Sequence, residues 1–298
     1  MMSAGQEQGP GRESVLELTG GHTLGWREYG EPDGEPVIFF HGWPASSPQG
    51  IFLHPIGRQR GLRILSVDRP GIGRSSRISH RNFLHVPPLV DELADSLELG
   101  KCRVIGVSGG GPYALACAWA IPHRVRTAVV CCGAPPLDSV EARGRLHATY
   151  RALLAIQERW PVVLRALLAP AITVARVRPP WPVMKLASLA LGPRDRAVIG
   201  DRARFEEFYP SFQHAMRSGT RAVHEDGACY SRYWPFDPAE IGVPVRIWHG
   251  SQDINFHWQL AENLAARIPG AAFFKREEGH YSLPIFCVEE IVGDMLAL

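Results

Sequence analysis

The chain has 298 residues, 45% of them hydrophobic, which is enough to bury a substantial core. Its 32 Lys and Arg residues nearly balance 30 Asp and Glu residues, and the formal net charge of +2 excludes a polyanion, such as nucleic acid, recognised mainly through bulk charge. We therefore expect a small molecule as the partner, while the sequence leaves a homodimer open.

Three features of the sequence bear on where the protein resides. Residues 1–13 are rich in Gly and Gln and contain no apolar run, so we expect a disordered N-terminal tail without a secretory signal. Without such a signal we expect a cytoplasmic protein whose thiols are reduced. The six cysteines include no Cys-x-x-Cys pair, which predicts neither a disulfide framework nor a metal site. Residues 161–177 are apolar, but Arg165 and Arg176 interrupt them and the stretch is too short to span a bilayer.

Short apolar runs between Gly-, Pro- and Asp-containing turns predict strands in the first half of the chain. The predicted strands are residues 14–18, 23–29, 36–40, 62–67, 102–107 and 127–132. Helical spacing of apolar residues predicts helices over residues 51–60, 87–99 and 112–120. The last two strands are nearly all apolar, as in strands buried on both faces, so we expect a doubly wound, mostly parallel sheet.

The alternation of strands and helices breaks after residue 132. Residues 137–240 are rich in Ala, Leu, Trp and Arg, and prolines around Trp181 divide this segment into separate helices. The strand pattern resumes at residues 243–248 and 271–275, with helices over 257–267 and from 284. We therefore predict an α/β core of residues 14–136 and 241–298 with an eight-stranded sheet, and a helical cap inserted at 137–240.

A serine stands at the turn between a buried strand and a helix, in Gly106-Val107-Ser108-Gly109-Gly110. This arrangement is typical of a nucleophile elbow, in which the serine backbone is strained and its hydroxyl is exposed. A side chain at Gly106 or Gly110 would crowd the neighbouring strand and helix, so the turn needs glycine on both sides. The motif alone is weak in a chain with 30 glycines, because a serine that caps an ordinary helix is the alternative.

A serine hydroxyl needs a base to take its proton and a third group to orient that base. Ligand chemistry in an open parallel sheet gathers at the carboxyl ends of strands, and Asp253 and His280 each follow one of the last two predicted strands. Asp138, which follows the sixth strand, is the alternative acid. Asp253 could also merely cap the next helix.

The order of nucleophile, acid and histidine, together with five local motifs, resembles the α/β-hydrolase fold superfamily over nearly everything outside the predicted cap. The motifs are His41-Gly42-Trp43-Pro44, Asp68-Arg69-Pro70-Gly71-Ile72-Gly73-Arg74-Ser75, the elbow, Gly250-Ser251-Gln252-Asp253 and Gly279-His280. The resemblance implies that Ser108 attacks a carbonyl and that His280 acts first as general base and then as general acid. It implies that Asp253 fixes the imidazole tautomer.

The same resemblance implies which groups surround the nucleophile. The oxyanion hole is expected from the backbone N–H groups of Gly109 and Trp43. His41 and Gly42 are expected to support the loop that carries Trp43, and the turn at Asp68 is expected to be structural rather than catalytic. Acyl transfer by such a triad requires no cofactor and no metal.

We expect a serine hydrolase that cleaves a small or medium, largely apolar ester through an acyl-enzyme on Ser108. Trp43 beside the nucleophile, with Trp160 and Trp181 in the predicted cap, suggests an apolar pocket. The elbow serine argues against epoxide hydrolase and haloalkane dehalogenase chemistry, which needs a carboxylate at that position.

Several alternatives use the same triad or the same fold. A proline-iminopeptidase-like or other amide hydrolase would need carboxylates for a substrate amine, for which Asp201, Glu206 and Glu207 are available. A C–C bond hydrolase and a cofactor-free perhydrolase are not separated from an esterase by the sequence. The many arginines of the predicted cap leave an anionic substrate open, and a noncatalytic ligand-binding protein is the alternative outside enzymes.

Overall fold

A computed structural model describes residues 11–217 and 219–298, which contain eight strands. They are β1 (Arg12–Glu17), β2 (Thr23–Gly30), β3 (Glu35–Phe40), β4 (Leu62–Val67), β5 (Cys102–Val107), β6 (Val125–Cys131), β7 (Val245–Gly250) and β8 (Ala272–Arg276). The strands form one sheet in the order β1-β2-β4-β3-β5-β6-β7-β8. β2 pairs antiparallel with β1 and β4, and the other neighbours are parallel. The predicted mostly parallel, eight-stranded α/β sheet is confirmed.

Helices connect and cover the strands. The α-helices are α1 (His54–Arg60), α2 (Pro87–Ser96), α3 (Gly111–Ala120), α4 (Val140–Gly144), α5 (Ala148–Arg159), α6 (Pro161–Leu167), α7 (Ala169–Val177), α8 (Trp181–Ala187), α9 (Pro193–Ile199), α10 (Arg202–Ala215), α11 (Thr220–Tyr230), α12 (Trp258–Arg267), α13 (Leu283–Phe286) and α14 (Val288–Leu296). Shorter 3₁₀ helices lie at Ser47–Leu53, Phe83–His85, Ser108–Gly110, Ser188–Ala190 and Pro238–Glu240.

The central strands are buried on both faces because helices cover both sides of the sheet. Successive residues of β5 enter different hydrophobic clusters, Val104 on one side with α2, α3 and α12, and Ile105 on the other with α1 and α14. Burial of each such aliphatic side chain contributes about 1.5–3 kcal/mol. A slip of β5 by one residue would exchange these two sets of side chains between the faces, so the packing fixes the position of the residues that follow the strand.

Several observed boundaries differ from the predicted ones, most clearly at β1, at the predicted helix 51–60 and at β7. β1 begins at Arg12, because Arg12 and Glu13 pair with β2. The predicted tail of residues 1–13 is therefore wrong at its end, and residues 1–10 lie outside the described residues. The predicted helix 51–60 is a 3₁₀ helix from Ser47 followed by α1. β7 begins at Val245 rather than at residue 243, since the preceding Pro244 has no N–H to donate to a ladder.

The described residues between 137 and 240, here called the helical segment, contribute α4 to α11 and no strand to the sheet. A proline in the first turn begins each of α6, α7, α8 and α9, where its fixed φ suits a new helix and its missing N–H costs nothing. The segment touches the loop after β3 where Ser211 accepts from the N–H of Ser46 at 2.9 Å. Its status as a separate cap domain stays a prediction. None of the helices in the described part of the chain is long and apolar enough to cross a membrane.

Candidate active site

Ser108 lies directly after β5 and has a φ of 52°, a left-handed conformation that is strained for a residue with a side chain. The glycines around it make this turn possible. A Cβ on Gly106 would overlap the carbonyl of Gly110, and a Cβ on Gly110 would overlap the carbonyl of Phe40 on the neighbouring strand. The predicted reason for both glycines therefore matches the packing of the turn.

The structure brings Ser108, His280 and Asp253 into one hydrogen-bonded row. The His280 Nε2 atom lies 2.9 Å from the Ser108 Oγ atom, and the His280 Nδ1 atom lies 2.7 Å from the Asp253 Oδ2 atom. A carboxylate can only accept, so Nδ1 carries the proton and Nε2 is free to accept one from the serine. The row joins the loops that follow β5, β7 and β8, at the carboxyl edge of the sheet.

The Asp253 carboxylate is held in a charged state by several donors. Its Oδ1 atom accepts from the backbone N–H groups of Asn255 at 2.8 Å and Phe256 at 3.0 Å, and the His249 Nε2 atom lies 3.2 Å from Oδ2. Burial alone would raise the pKa of Asp253, but His280 and His249 outweigh it and hold that pKa well below its usual range. Asp253 is therefore a buried anion facing the imidazole.

The charge on Asp253 acts in turn on His280. Burial alone would lower the pKa of His280, but the neighbouring Asp253 carboxylate outweighs burial and raises that pKa above its ordinary value of 6.5. The alternative acid, Asp138, lies elsewhere, because its carboxylate accepts from the exposed Arg267 at 2.8 Å. The row thus contains Asp253, and Asp138 forms a surface ion pair.

Both expected oxyanion donors lie next to the nucleophile. A Cβ built on Gly42 would lie 3.4 Å from the Ser108 Cβ atom, and one on Gly109 would lie 3.1 Å from the Trp43 Cβ atom, so the Trp43 loop and the elbow are in contact. Gly109 is the second residue of its 3₁₀ helix, where N–H groups have no acceptor within the helix. Among the described residues, the N–H of Trp43 has no acceptor.

The loop that carries Trp43 is fixed by hydrogen bonds to its backbone. The buried His41 donates from Nδ1 to the Gly42 carbonyl at 2.9 Å, and the Gly42 N–H donates to the Gln49 side chain at 2.6 Å. Arg69 donates from Nη2 to the same Gly42 carbonyl at 3.0 Å and from Nη1 to the His41 carbonyl. His41 and Gly42 therefore support the loop, with Gln49 and Arg69 as further partners that the sequence did not single out.

Arg69 is itself fixed by Asp226, a fully buried carboxylate of α11. The Arg69 Nη2 atom lies 2.6 Å from Asp226 Oδ2, the Arg81 Nη2 atom lies 2.8 Å from Oδ1, and the Tyr113 hydroxyl donates to Oδ1 at 2.7 Å. Burial alone would raise the pKa of Asp226, but Arg69 and Arg81 outweigh it and hold that pKa far below its usual range. Tyr230, also on α11, donates to the carbonyl of Gly109 at 2.9 Å. No local motif marks Asp226, since its closest partners, Tyr113, Arg81 and Arg69, are 113 to 157 residues away in sequence.

Two cavities are both lined in part by Ser108. The first, here called the inner cavity, has a volume of about 100 Å³. Its lining comprises Trp43, Ser108, Gly109, Ala134, Pro135, Leu137, Leu146, Tyr150, Leu153, Leu154, Gln157, Leu164, Leu168, His224, Gly227, Tyr230, Ser231 and Phe256. The second, here called the outer cavity, has a volume of about 190 Å³. Its lining comprises Gly42, Trp43, Pro44, Ala45, Gln49, Phe52, Val107, Ser108, Val198, Ile199, Phe208, Ser211, Phe212, His280, Tyr281, Pro284 and Ile285. Both walls are largely apolar.

The tryptophans expected in the helical segment do not contribute to these walls. Trp43 lines both cavities, but Trp160 is 59% exposed and Trp181 packs against Phe205, with ring centroids 5.9 Å apart. The expectation that Trp160 and Trp181 line the pocket is therefore wrong. From the same segment, Leu164 and Leu168 line the inner cavity instead.

A group of metal-ligating side chains lies behind the hydrogen-bonded row. Within the described residues, ligand atoms of Cys132, His249 and Asp253 lie within 4.8 Å of one another. The His249 Nε2 atom lies 2.9 Å from the Phe256 carbonyl, which requires a proton on that nitrogen, and burial raises the pKa of the Cys132 thiol well above its usual value. Protonated donors of this kind suit hydrogen bonding to Asp253 rather than coordination of a cation.

Comparisons with known proteins agree with this architecture. In a 125-residue alignment, the chain is 34% identical to a non-heme chloroperoxidase from Streptomyces lividans, covering 41% of this chain and 45% of the relative. In a 128-residue alignment it is 34% identical to a proline iminopeptidase from Neisseria gonorrhoeae, covering 41% of this chain and 40% of the relative. The matched segments thus span less than half of these curated relatives.

Solved structures match over nearly the whole chain. A hydrolase from Pseudomonas aeruginosa superimposes with a TM-score of 0.70 at 18% identity, covering 97% of this chain and 99% of the other. An esterase from Exiguobacterium antarcticum superimposes with a TM-score of 0.67 at 17% identity, covering 95% and 98%. At these identities the likeness shows the fold alone. The family model of the alpha/beta hydrolase fold matches residues 35–284, and the chain belongs to that family.

Proposed function

We propose that the protein is a serine hydrolase that cleaves small, largely apolar esters through an acyl-enzyme on Ser108. The observation that carries this proposal is the row of hydrogen bonds from Ser108 through His280 to Asp253, with Ser108 lining two largely apolar cavities. A buried carboxylate, a correctly protonated imidazole and a strained serine are the parts that acyl transfer requires.

The reaction follows from this geometry in two halves. Ser108 Oγ attacks the ester carbonyl carbon while its proton passes to His280 Nε2, and the carbonyl oxygen becomes an oxyanion beside the N–H groups of Gly109 and Trp43. The tetrahedral intermediate then expels the alcohol, which takes the proton from His280. Water repeats the sequence on the acyl-enzyme, with His280 again as base, and releases the acid and Ser108.

The two cavities indicate the kind of ester. Their volumes of about 100 and 190 Å³ lie below the several hundred Å³ of pockets for drug-sized ligands, so both arms of the substrate are expected to be short. The walls are largely apolar and contain no arginine of the helical segment, so a charged group there would be desolvated with few polar partners. The arginines of the helical segment therefore do not favour an anionic substrate at Ser108.

The amide alternative lacks a site for a substrate amine. Asp201 caps α10 by accepting from the N–H of Arg204 at 2.9 Å, Glu206 pairs with Arg178, and Glu207 pairs with Arg204 at 2.8 Å. None of the three lines either cavity. Glu206 and Glu207 are paired with arginines and Asp201 caps a helix, so none of the three is available to a substrate ammonium group at Ser108, and we rank ester hydrolysis above proline-iminopeptidase-like activity.

Labelling with a fluorophosphonate and a substrate panel test the proposal. We expect the probe to modify Ser108 and p-nitrophenyl acetate and butyrate to be turned over faster than p-nitrophenyl octanoate or proline p-nitroanilide. Ser108→Ala should lower kcat by about 10⁴-fold or more, because the serine and histidine act as a unit. Ser96→Ala, an exposed serine on α2, is the matched control and should retain wild-type rates.

The same panel distinguishes the remaining alternatives. Faster turnover of the anilide than of every ester would make an amide hydrolase the better assignment. Peroxide-dependent halogenation or cleavage of a vinylogous diketone in excess of ester turnover would point to perhydrolysis or to C–C bond hydrolysis. An unlabelled Ser108 and no turnover of any substrate would leave a noncatalytic protein on this fold.

A further inference from the structure

Asp195, on α9 of the helical segment, is a carboxylate that the triad does not include, yet it touches the histidine loop. The residue is only 1% exposed. Its Oδ2 atom accepts from the N–H of His280 at 3.0 Å, and its Oδ1 atom accepts from the N–H groups of Tyr281 at 2.8 Å and Ser282 at 3.0 Å. Three consecutive backbone donors thus point at one side chain.

The loop is shaped to receive this carboxylate. The N–H of Gly279 donates to the Ser282 Oγ atom at 2.7 Å, which folds residues 279–282 into a tight turn. A Cβ on Gly279 would overlap the carboxylate of Asp195, so glycine is required for the close approach. Successive N–H groups that converge in a turn form a concave anion site, and here a side chain of the same chain occupies it.

These backbone donors are the partners that Asp195 has within the described residues. It forms no ion pair there, although Arg194 and Arg196 flank it in sequence, because Arg194 lies 3.7 Å from Glu278 and Arg196 donates to the Leu189 and Leu191 carbonyls. A buried carboxylate without a cation depends on its hydrogen bonds, because a lost bond would leave a charged oxygen without a partner in the interior. The contact is therefore specific to the geometry of residues 280–282.

We propose that Asp195 is a positioning residue that fixes the backbone of His280 and thereby keeps the imidazole in line between Ser108 and Asp253. This inference rests on the proposed serine hydrolase function. The backbone of His280 is held by the helical segment, while its side chain is held by the core. Removal of Asp195 would free the backbone, and a misplacement of about 1 Å at a reacting group can cost about 100-fold in rate.

The same helix, α9, also lines the outer cavity. Val198 and Ile199 line the outer cavity and lie three and four positions after Asp195, on the same face of α9. A substrate arm in that cavity therefore contacts the helix that holds His280. Filling of the cavity is expected to stabilise the hydrogen bonds of Asp195 and with them the aligned imidazole.

Asp195 adds a second negative charge near the His280 imidazole, which already faces the Asp253 carboxylate. Burial lowers the pKa of His280, while Asp253 and, to a smaller degree, Asp195 raise it. The other ionisable groups around this site are Tyr281 in the same loop, His249 on β7, Cys132 after β6 and Tyr150 on α5. Loss of the charge at position 195 should move the pKa of His280 downward.

The test compares Asp195→Asn and Asp195→Ala with Asp201→Asn, an exposed helix-capping carboxylate of the same segment. We expect Asp195→Asn to lower kcat for p-nitrophenyl acetate 10- to 100-fold with KM changed less than threefold, and Asp195→Ala to lower it further, on the order expected for a displaced catalytic group. The acid limb of kcat/KM should move to lower pH, because a less basic His280 stays neutral further into acid. Asp201→Asn should match the wild type in all three readouts.

Two measurements separate positioning from folding. Rates are divided by the number of active sites, which is measured by titration with a fluorophosphonate. A variant that merely folds less completely keeps the wild-type kcat per active site. A wild-type kcat per active site in Asp195→Asn would therefore overturn the proposal. NMR titration of the His280 imidazole, assigned with His280→Gln, reports its pKa without any substrate. An unchanged titration in Asp195→Asn would also overturn the proposal, whereas a lowered pKa in an enzyme inactive toward every substrate would contradict only the proposed function.

Discussion

The buried ion pairs of Asp226 lead to a quantitative prediction about stability. In Asp226→Asn the side chain keeps its shape but loses its charge, which leaves Arg69 and Arg81 uncompensated. The side chains of Arg69, Arg81 and Asp226 are only 0–2% exposed, so water cannot replace the lost partner. Removal of one member of a buried pair typically costs 3–5 kcal/mol, because an unpaired charge remains in the interior.

The size of the effect can be compared with that of an exposed pair in the same protein. Asp138 and Arg267 have side chains 38% and 41% exposed, so Asp138→Asn should cost about 1 kcal/mol or less. A loss of 3–5 kcal/mol corresponds to a fall in Tm of about 5–8 °C for a chain of 298 residues. Thermal melting followed by circular dichroism at pH 7 measures both variants against the wild type.

The pH dependence supplies an independent check on the cause. Since the folded-state pKa of Asp226 lies below its ordinary value, the stability from its ionisation is fully present above the unfolded pKa and is lost as pH falls through the folded pKa. The gap in Tm between wild type and Asp226→Asn should therefore narrow below about pH 4. A variant that melts within about 2 °C of Asp138→Asn at pH 7 would refute the reasoning, because the buried pairs would then contribute no more than a surface pair.

Three further outcomes follow from the site. Asp253→Asn should lower kcat by about 10⁴-fold through the wrong imidazole tautomer while Asp138→Asn stays near wild type, and equal losses in steady-state kinetics would contradict the assignment of the acid. The base must be neutral and the pKa of His280 is raised, so kcat/KM should fall as pH drops through a value above 6.5. If the acid limb of the pH profile of kcat/KM lay entirely below pH 6.5, a group other than His280 would control it. Leu154→Trp should fill the inner cavity and lower kcat/KM for butyrate esters more than for acetate esters, provided that the acyl group binds there. An unchanged ratio of kcat/KM between butyrate and acetate esters would show that the acyl group binds elsewhere.

The sequence predicted the sheet and the elbow because both depend on local patterns. A short apolar run such as β5, bounded by turn residues, favours a strand buried on both faces, and Gly106 and Gly110 are needed because other backbone passes closely beside the serine turn. The choice between Asp253 and Asp138 was harder, since each follows a strand of the sheet. Only the structure shows that Asp138 lies against Arg267 on the surface.

The positions of Trp160 and Trp181 could not be read from the sequence. Aromatic residues in a helical insertion can face a pocket, a neighbouring helix or solvent, and packing between helices decides among these. Trp181 packs against Phe205, and Trp160 is exposed to solvent. The role of Asp195 could not be predicted from the sequence for a related reason. Its partners are backbone N–H groups 85 to 87 residues away, and no sequence pattern marks a backbone donor.

Two carboxylates of the helical segment hold opposite sides of the candidate active site. Asp226 acts through Arg69 on the loop that carries Trp43, and Asp195 acts directly on the backbone of His280. Both are buried, and both bind groups that belong to the α/β core rather than to their own helices. Because the loop that carries Trp43 and the loop that carries His280 each depend on a helix from outside the sheet, the α/β core and the helical segment together determine how Ser108, His280 and Asp253 are aligned. The helical segment thus holds two loops of the candidate active site and also lines both cavities next to Ser108.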